Sequence, residues 1–191
     1  MRTQGVVLLL ALTILALAPA CLVRSVEPWL KADSFTFEEE LLGGWIGKAD
    51  DGGGDVAMTF LRAEGPGTYV VQYAGKDGQG TFVARLGKFG SDYYLDFRPK
   101  EGAPGVDGLL LFPMHSVARL ELGADSLVVH ILNNDAVKEA AKVDRLDRLK
   151  SVWDDDELVL VSTTEEMQRF LLGLGRESKL FAPPMRLSRK K

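Results

Sequence analysis

The chain of 191 residues is poor in the side chains from which metal and redox sites are usually built. Cysteine occurs once, at Cys21, so no disulfide can form within the chain. Histidine occurs twice, at His115 and His130, and neither has a second ligand at metal-binding spacing. The formal net charge of −4 excludes the strongly basic character of nucleic-acid-binding proteins. We therefore expect no metal, no cofactor and no nucleic acid as partners.

Signatures of catalysis are also lacking. No serine stands in a GxSxG motif, and no spacing singles out a pair of carboxylates. The glycine-rich stretches separate apolar runs, so we interpret them as hairpin turns and not as phosphate-binding loops. We predict no catalytic residue and a protein that is not an enzyme.

The first 21 residues form an export pattern. Met1-Arg2 is positively charged, an uninterrupted apolar run extends from Gly5 to Ala20, and it ends in the small residues Ala18-Pro19-Ala20. We interpret residues 1–20 as a signal peptide. Two alternatives stay open. In the first, an ordinary signal peptidase cleaves the segment and releases a soluble protein. In the second, the apolar run stays uncleaved as a membrane helix, although it is shorter than the roughly 20 residues that span a bilayer.

The small residues directly before Cys21 resemble the lipobox of bacterial lipoproteins. The resemblance implies that Cys21 becomes the acylated first residue, followed by a tether over residues 21–40. Two or three acyl chains, at about 0.8 kcal/mol per buried methylene, would hold the protein on a lipid bilayer. In a Gram-negative host, Leu22 after the cysteine implies transfer to the outer membrane, with the protein facing the periplasm.

Short apolar runs separated by turn residues predict antiparallel strands joined by hairpins. Alternation supports this prediction, because Val56, Met58 and Phe60 share one face of their strand. The predicted strands are LLGGWIGKA, VAMTFLRA, TYVVQYA, QGTFVARLGKF, SDYYLDFRP, LLLFPMHSVARLELG, ADSLVVHILNN and ELVLVS. An open sheet of eight strands would expose its edges, so we predict a closed or nearly closed β-barrel.

Two amphipathic segments predict helices near residues 135–149 and 163–174. The second begins with a capping box, Thr163 to Glu166. The predicted fold class is therefore mainly β with two helices. We assign residues 41–182 to the barrel domain and interpret residues 183–191 as a basic tail with a frayed tip.

Several short motifs between Leu42 and Phe181 carry a resemblance to a known family. They are Gly43-x-Trp45 within GGWIG, the strand SDYYLDF, the strand that contains His130, and LVLVSTTEEMQRFLLGLG. Together they are similar to poorly characterised bacterial lipoproteins with a small lipocalin-like or calycin-like barrel. The resemblance implies that Trp45 packs across the barrel floor. The arginine that accompanies this tryptophan in lipocalins is not placed by the sequence.

The candidate site residues are aromatic. Trp45, Tyr69, Tyr73, Phe82, Tyr93 and Tyr94 either line a ligand cavity in the barrel or simply fill its core. The histidines are expected to form structural hydrogen bonds. The predicted function is a membrane-anchored, non-catalytic envelope lipoprotein that binds a small apolar ligand such as a lipid. The alternative is a module that docks an envelope protein or inhibits a hydrolase.

Overall fold

The computed structural model describes residues 22–49, 54–76, 78–100, 114–146, 149–175 and 178–191. Eleven strands, two α-helices and two short 3-10 helices occur in this part of the chain. The strands are β1 (Arg24–Ser25), β2 (Gly43–Ala49), β3 (Asp55–Arg62), β4 (Thr68–Gly75), β5 (Gly78–Phe89), β6 (Asp92–Pro99), β7 (Ser116–Leu122), β8 (Ser126–Ile131), β9 (Ser151–Asp154), β10 (Glu157–Leu160) and β11 (Met185–Arg189). The helices are α1 (Asn134–Lys142) and α2 (Thr164–Gly173), and the 3-10 helices are Ala32–Ser34 and Glu39–Leu41.

Eight of the strands close into an antiparallel barrel in the order β11-β2-β3-β4-β5-β6-β7-β8. From β2 to β8 each strand pairs with the next along the chain, as hairpin connections require. The prediction of a mainly β protein with two helices and a closed, hairpin-linked barrel of eight strands is therefore confirmed.

Inward-facing side chains follow the predicted alternation. Val56 and Phe60 of β3 and Tyr69 and Val71 of β4 lie in the barrel core. Met58, which lies between Val56 and Phe60 on β3, packs against the same core. Successive side chains of a strand point to opposite faces, so the register of each hairpin determines which side chains point into the barrel. Here these are the apolar side chains.

The eighth barrel strand is not the predicted one. ELVLVS supplies β10, which lies outside the barrel in a three-stranded sheet of order β1-β10-β9. The barrel is closed by β11, which pairs with both β2 and β8. The interpretation of residues 183–191 as a tail outside the barrel domain is therefore wrong for residues 185–189. Met185, Leu187 and Arg189 alternate along this strand on one face, which gives the closing strand an inward side.

Residues 22–40, which belong to the predicted tether of residues 21–40, pack on the fold. β1 pairs in parallel with β10, and Val23, Trp29 and Leu30 are almost completely buried. They contribute to a second hydrophobic core outside the barrel, between the barrel wall and the three-stranded sheet with the two helices. The apolar side chains of this segment explain its docking, since burying each of them contributes about 1.5 to 3 kcal/mol.

The two predicted helices are present, with different bounds. α1 begins at the predicted place, with the Asn133 side chain accepting a hydrogen bond from the backbone of Ala136, but it ends at Lys142, short of residue 149. α2 has the predicted capping box, in which Thr163 and Glu166 satisfy each other's backbone groups. Within the described residues, no helix is both long and apolar enough to cross a membrane.

Candidate functional site: the barrel interior

The barrel has two ends that differ in construction. The floor is the end where β2 begins, next to the 3-10 helix Glu39–Leu41, and where β3, β5 and β7 finish. The mouth is the opposite end, where β2, β4, β6 and β8 finish. Any solvent access to the interior must lie at one of these ends, because the wall is closed by hydrogen-bonded strands.

Trp45 lies across the floor and is completely buried. Its indole N–H donates to the carbonyl of Leu41 at 2.9 Å. The guanidinium carbon of Arg189 lies 4.3 Å from the centre of the Trp45 ring. Arg189 also donates to the carbonyls of Leu42, at 2.9 Å, and Glu40. One cation from the last strand thus covers the tryptophan and fixes the chain that leads into the first barrel strand.

Tyr69 fills the floor beside this pair. Its hydroxyl donates to the carbonyl of Glu38 at 3.0 Å and accepts from the backbone N–H of the same residue at 2.8 Å. Its ring stacks on Phe37 with 4.9 Å between ring centres. Burial raises the pKa of Tyr69, so the neutral phenol that makes both bonds is favoured further.

Tyr93 completes the floor. Its hydroxyl donates to Oε1 of Glu38 at 2.9 Å and accepts from Nζ of Lys88, also at 2.9 Å. The hydrogen bond with Tyr93 raises the pKa of the exposed Lys88. Glu38 therefore connects two tyrosines through its backbone and its carboxylate. The floor end of the barrel is sealed by packing and by satisfied polar groups.

The mouth is built from apolar side chains that remain partly exposed. By alternation they point into the barrel, and they pack on its core. These residues are Tyr73, Phe82, Phe97, Ile131 and Met185, together with Met58, which pairs with Tyr73 and with Trp45 and therefore lies at the inner limit of the mouth. The rings of Phe82 and Phe97 meet edge to face, with centres 5.6 Å apart. The inward side chains deeper in the barrel, such as Phe60 and Leu86, are at most 1% exposed.

Glycines at the rim of the mouth leave room for two aromatic rings. A Cβ at Gly75 would come within 2.4 Å of the Tyr73 hydroxyl, and one at Gly80 within 3.0 Å of the Phe82 ring. Each ring therefore leans along its own strand towards the rim and lies over a glycine of the wall. This arrangement lines the mouth with aromatic surface.

The six candidate residues are thus divided by the structure. Trp45, Tyr69 and Tyr93 belong to the floor, where they fill and seal the barrel. Tyr73 and Phe82 belong to the mouth. Tyr94 points outwards into the second core, where its ring lies 5.7 Å from that of Phe89, so it does not line the interior. Cys21 lies outside the described residues.

Both histidines make carboxylate contacts on the outside of the barrel. Nδ1 of His115 lies 2.7 Å from Oδ1 of the buried Asp96, whose Oδ2 accepts from the backbone N–H of Trp29 at 2.8 Å. Nε2 of His130 lies 2.9 Å from Oε1 of Glu121. Burial, followed by the charge of Arg119, lowers the pKa of His130. Such positions suit the structural role expected for the histidines.

Among the described residues, no three His, Cys, Asp or Glu side chains come together as metal ligands. The functional residues missed by the sequence analysis are Arg189 and Asp96. The two-residue alternation of Met185, Leu187 and Arg189 is the signal that would have found the first. Asp96 carries no such signal, because its partner Trp29 is 67 residues away.

Comparison of the chain with protein-family models, with curated proteins and with solved structures finds no match. The class of the protein therefore follows from its geometry. It is a closed, antiparallel, eight-stranded β-barrel with a sealed floor and an apolar mouth, carrying a small outer layer of three strands and two helices.

Proposed function

We propose that the protein is a non-catalytic, membrane-anchored lipoprotein of the bacterial cell envelope whose barrel binds a small apolar ligand, such as a lipid, at its mouth. The observation that carries this proposal is the contrast between the two ends of the interior. Residues 38–42 cover the floor and are hydrogen-bonded to Trp45, Tyr69 and Arg189, while six inward apolar side chains at the mouth stay partly exposed. A ligand that covers them would remove apolar surface from water, worth about 25 cal/mol per Å².

The dimensions of the fold are compatible with this role. Eight-stranded barrels are just wide enough either to be filled by side chains or to hold one small ligand. Here the floor is sealed, so the ligand is proposed to bind at the partly exposed mouth. The aromatic rings of Tyr73, Phe82 and Phe97 offer flat apolar surface, which suits an acyl chain or a ring system.

The lipocalin-like character of the barrel is part of the same proposal. The resemblance of Gly43-x-Trp45 to the lipocalin signature implies a tryptophan across the floor and an arginine over it. Trp45 and Arg189 stand in that relation, 4.3 Å apart. The contact supports the resemblance.

Anchoring rests on the sequence around Cys21. We propose cleavage after Ala20 and acylation of Cys21, in the outer membrane facing the periplasm if the host is Gram-negative. The test is expression of the full-length chain and of Cys21→Ala in a bacterial host, followed by membrane fractionation and intact mass. We expect the natural chain to begin at Cys21 and to carry acyl mass, and the variant to lose both that mass and membrane retention. An unmodified soluble chain contradicts anchoring.

Ligand binding is tested by titration with a fluorescent fatty acid analogue. The protein is expressed at full length and purified before the titration. Met58→Glu places a charge among the inward apolar side chains of the mouth, and Ala57→Glu makes the same change on the outer face of the same strand. Burying a carboxylate without a partner is costly, so we expect Met58→Glu to weaken binding at least about tenfold, which is 1.4 kcal/mol. We expect Ala57→Glu to bind as the natural chain does.

Equal affinities of the two variants, with circular dichroism showing both folded, would contradict ligand binding at the mouth. If Met58→Glu does not fold, Tyr73→Ser is the second variant, since it removes a ring from the rim. Absence of binding by the natural chain to any acyl or ring ligand would favour the alternative, a module that docks an envelope protein or inhibits a hydrolase.

A further inference from the structure

The segment before the barrel starts at the mouth. Ser116, the first residue of β7, pairs with the mouth residue Phe97 and donates from its hydroxyl to the carbonyl of Val23 at 2.9 Å. Two residues further along, Ser25 and His115 exchange two backbone hydrogen bonds of 2.9 Å each. The first described residues are therefore tied to the mouth end of the barrel wall.

From there the segment runs down the outside of the barrel to the floor. The backbone N–H of Trp29 reaches Asp96, in the upper half of β6. The N–H of Thr36 then donates to the carbonyl of Leu86 at 2.9 Å, and Glu38 bonds to Tyr69 at the floor. The chain thus crosses the full height of the barrel between residues 23 and 38.

This course determines where an anchor at Cys21 is attached. Cys21 lies two residues before Val23, and two residues of chain span at most about 7 Å. Val23 is itself buried and hydrogen-bonded. Strands of eight residues tilted by about 40° give a barrel roughly 20 Å high. An anchor attached at Cys21 would therefore lie nearer to the mouth than to the floor.

A surface with three exposed valines lies next to the same attachment point. β1 lies at one edge of the three-stranded sheet, and three valines on or beside this sheet are exposed: Val26 by 38%, Val161 by 37% and Val152 by 49%. These valines lie on one face of the sheet, because Val159 pairs with both Val152 and Arg24, and side chains two residues apart share a face. The Arg24–Glu157 ion pair, 2.9 Å long, lies on the same face. The chain that leads to this face follows directly on the proposed acylation site, so the occupant to which it points is the lipid bilayer.

We infer that the mouth of the barrel faces the membrane that holds the anchor, with the valine face resting on the lipid surface, so that an apolar ligand passes directly between bilayer and barrel. The inference rests on the proposed anchoring and deepens the proposed function, because it names membrane lipid as the source of the ligand. A mouth turned to water would instead require a ligand to cross solvent before binding.

Two exposed alanines provide a matched test. Ala74 lies at the mouth end of β4, next to the β4–β5 hairpin, and Ala124 lies in the floor turn between β7 and β8. In Ala74→Cys and Ala124→Cys, each expressed at full length, the acyl anchor occupies Cys21 and the new thiol takes a fluorescent label. The purified proteins are added to the outside of phosphatidylcholine and phosphatidylglycerol vesicles that carry an energy acceptor on their headgroups. Flotation and energy transfer are then measured.

Both proteins are expected to float with the vesicles, and energy transfer is expected to be about twofold higher from residue 74 than from residue 124, because the two labels differ in height by roughly 20 Å. Equal transfer, or higher transfer from residue 124, would overturn the inferred orientation while leaving anchoring intact. Failure of both proteins to float would overturn anchoring, and the orientation with it. Cys21→Ala carrying the residue 74 label is the control for unanchored protein.

Discussion

At the scale of single residues, Arg189 joins parts of the chain that are distant in sequence. It lies over Trp45 and donates to the carbonyl of Leu42, which is 147 residues away. A delocalised guanidinium can stack on a ring and bond carbonyls at the same time, which lysine cannot do as well. The sequence predicted the tryptophan of this pair from Gly43-x-Trp45. It did not reveal the arginine, because the contact forms only when the barrel closes.

Replacing Arg189 is expected to destabilise the folded protein. Arg189→Gln removes the stacked cation and its charge-assisted hydrogen bonds, for an expected loss of about 2 kcal/mol in the free energy of unfolding. The measurement is urea unfolding followed by tryptophan fluorescence. Arg169→Gln, an exposed position on α2, is the control and should change stability by less than about 0.5 kcal/mol. Equal stability of the two variants would show that Arg189 does not hold the floor.

His130 makes stability depend on pH. Burial lowers its pKa below the usual value of 6.5, so the folded protein binds this proton less readily than the unfolded chain does. The contribution of His130 to stability is therefore complete above pH 6.5 and is lost as the pH falls through the lowered pKa. When the pH is lowered from about 7.5 to about 5.5, we expect the free energy of unfolding to fall less in His130→Gln than in the natural chain. Parallel curves for the two proteins, or an NMR titration that places the His130 pKa above its usual value, would contradict this assignment.

At the scale of elements, local pairing was predictable and distant pairing was not. The hairpins from β2 to β6 join neighbouring segments through short turns, and their apolar alternation is visible in the sequence. β1 has only two residues and pairs in parallel with a strand more than 130 residues away. Such a short element has no periodicity of its own. ELVLVS and the last residues both alternate, so sequence pattern alone could not decide which of them closes the barrel.

The closing role of β11 leads to a prediction with an internal control. Leu187 points into the barrel and is 2% exposed, while its neighbour Ser188 points outwards. Leu187→Ala should lower the free energy of unfolding by about 2 to 5 kcal/mol, the usual range for a buried leucine. Ser188→Ala should change it by less than about 0.5 kcal/mol. Denaturant unfolding of both variants checks this, and a tolerated Leu187→Ala would mean that the last strand is not part of the closed barrel.

At the scale of the whole molecule, the barrel core and the second hydrophobic core have different roles. The barrel core fills the interior from the floor up to buried residues such as Val56 and Val129, and partly exposed apolar side chains line the mouth. The second core fastens the N-terminal segment, the small sheet and the helices to the outer wall. That outer layer brings the start of the described chain to the mouth end. The arrangement links the proposed ligand site to the proposed membrane anchor, a connection that depends on tertiary packing and has no counterpart in any local sequence pattern.

Native mass spectrometry of the protein released from bacterial membranes in mild detergent tests the central claim, that the mouth holds an apolar ligand, most directly. We expect a chain that begins at Cys21 and carries covalent acyl mass. We also expect a further apolar molecule that is bound non-covalently and is lost on denaturation. Ala57→Glu should retain the non-covalent adduct, and Met58→Glu should lose it. A natural chain without any such adduct, or an adduct that Met58→Glu retains to the same extent, would contradict the claim.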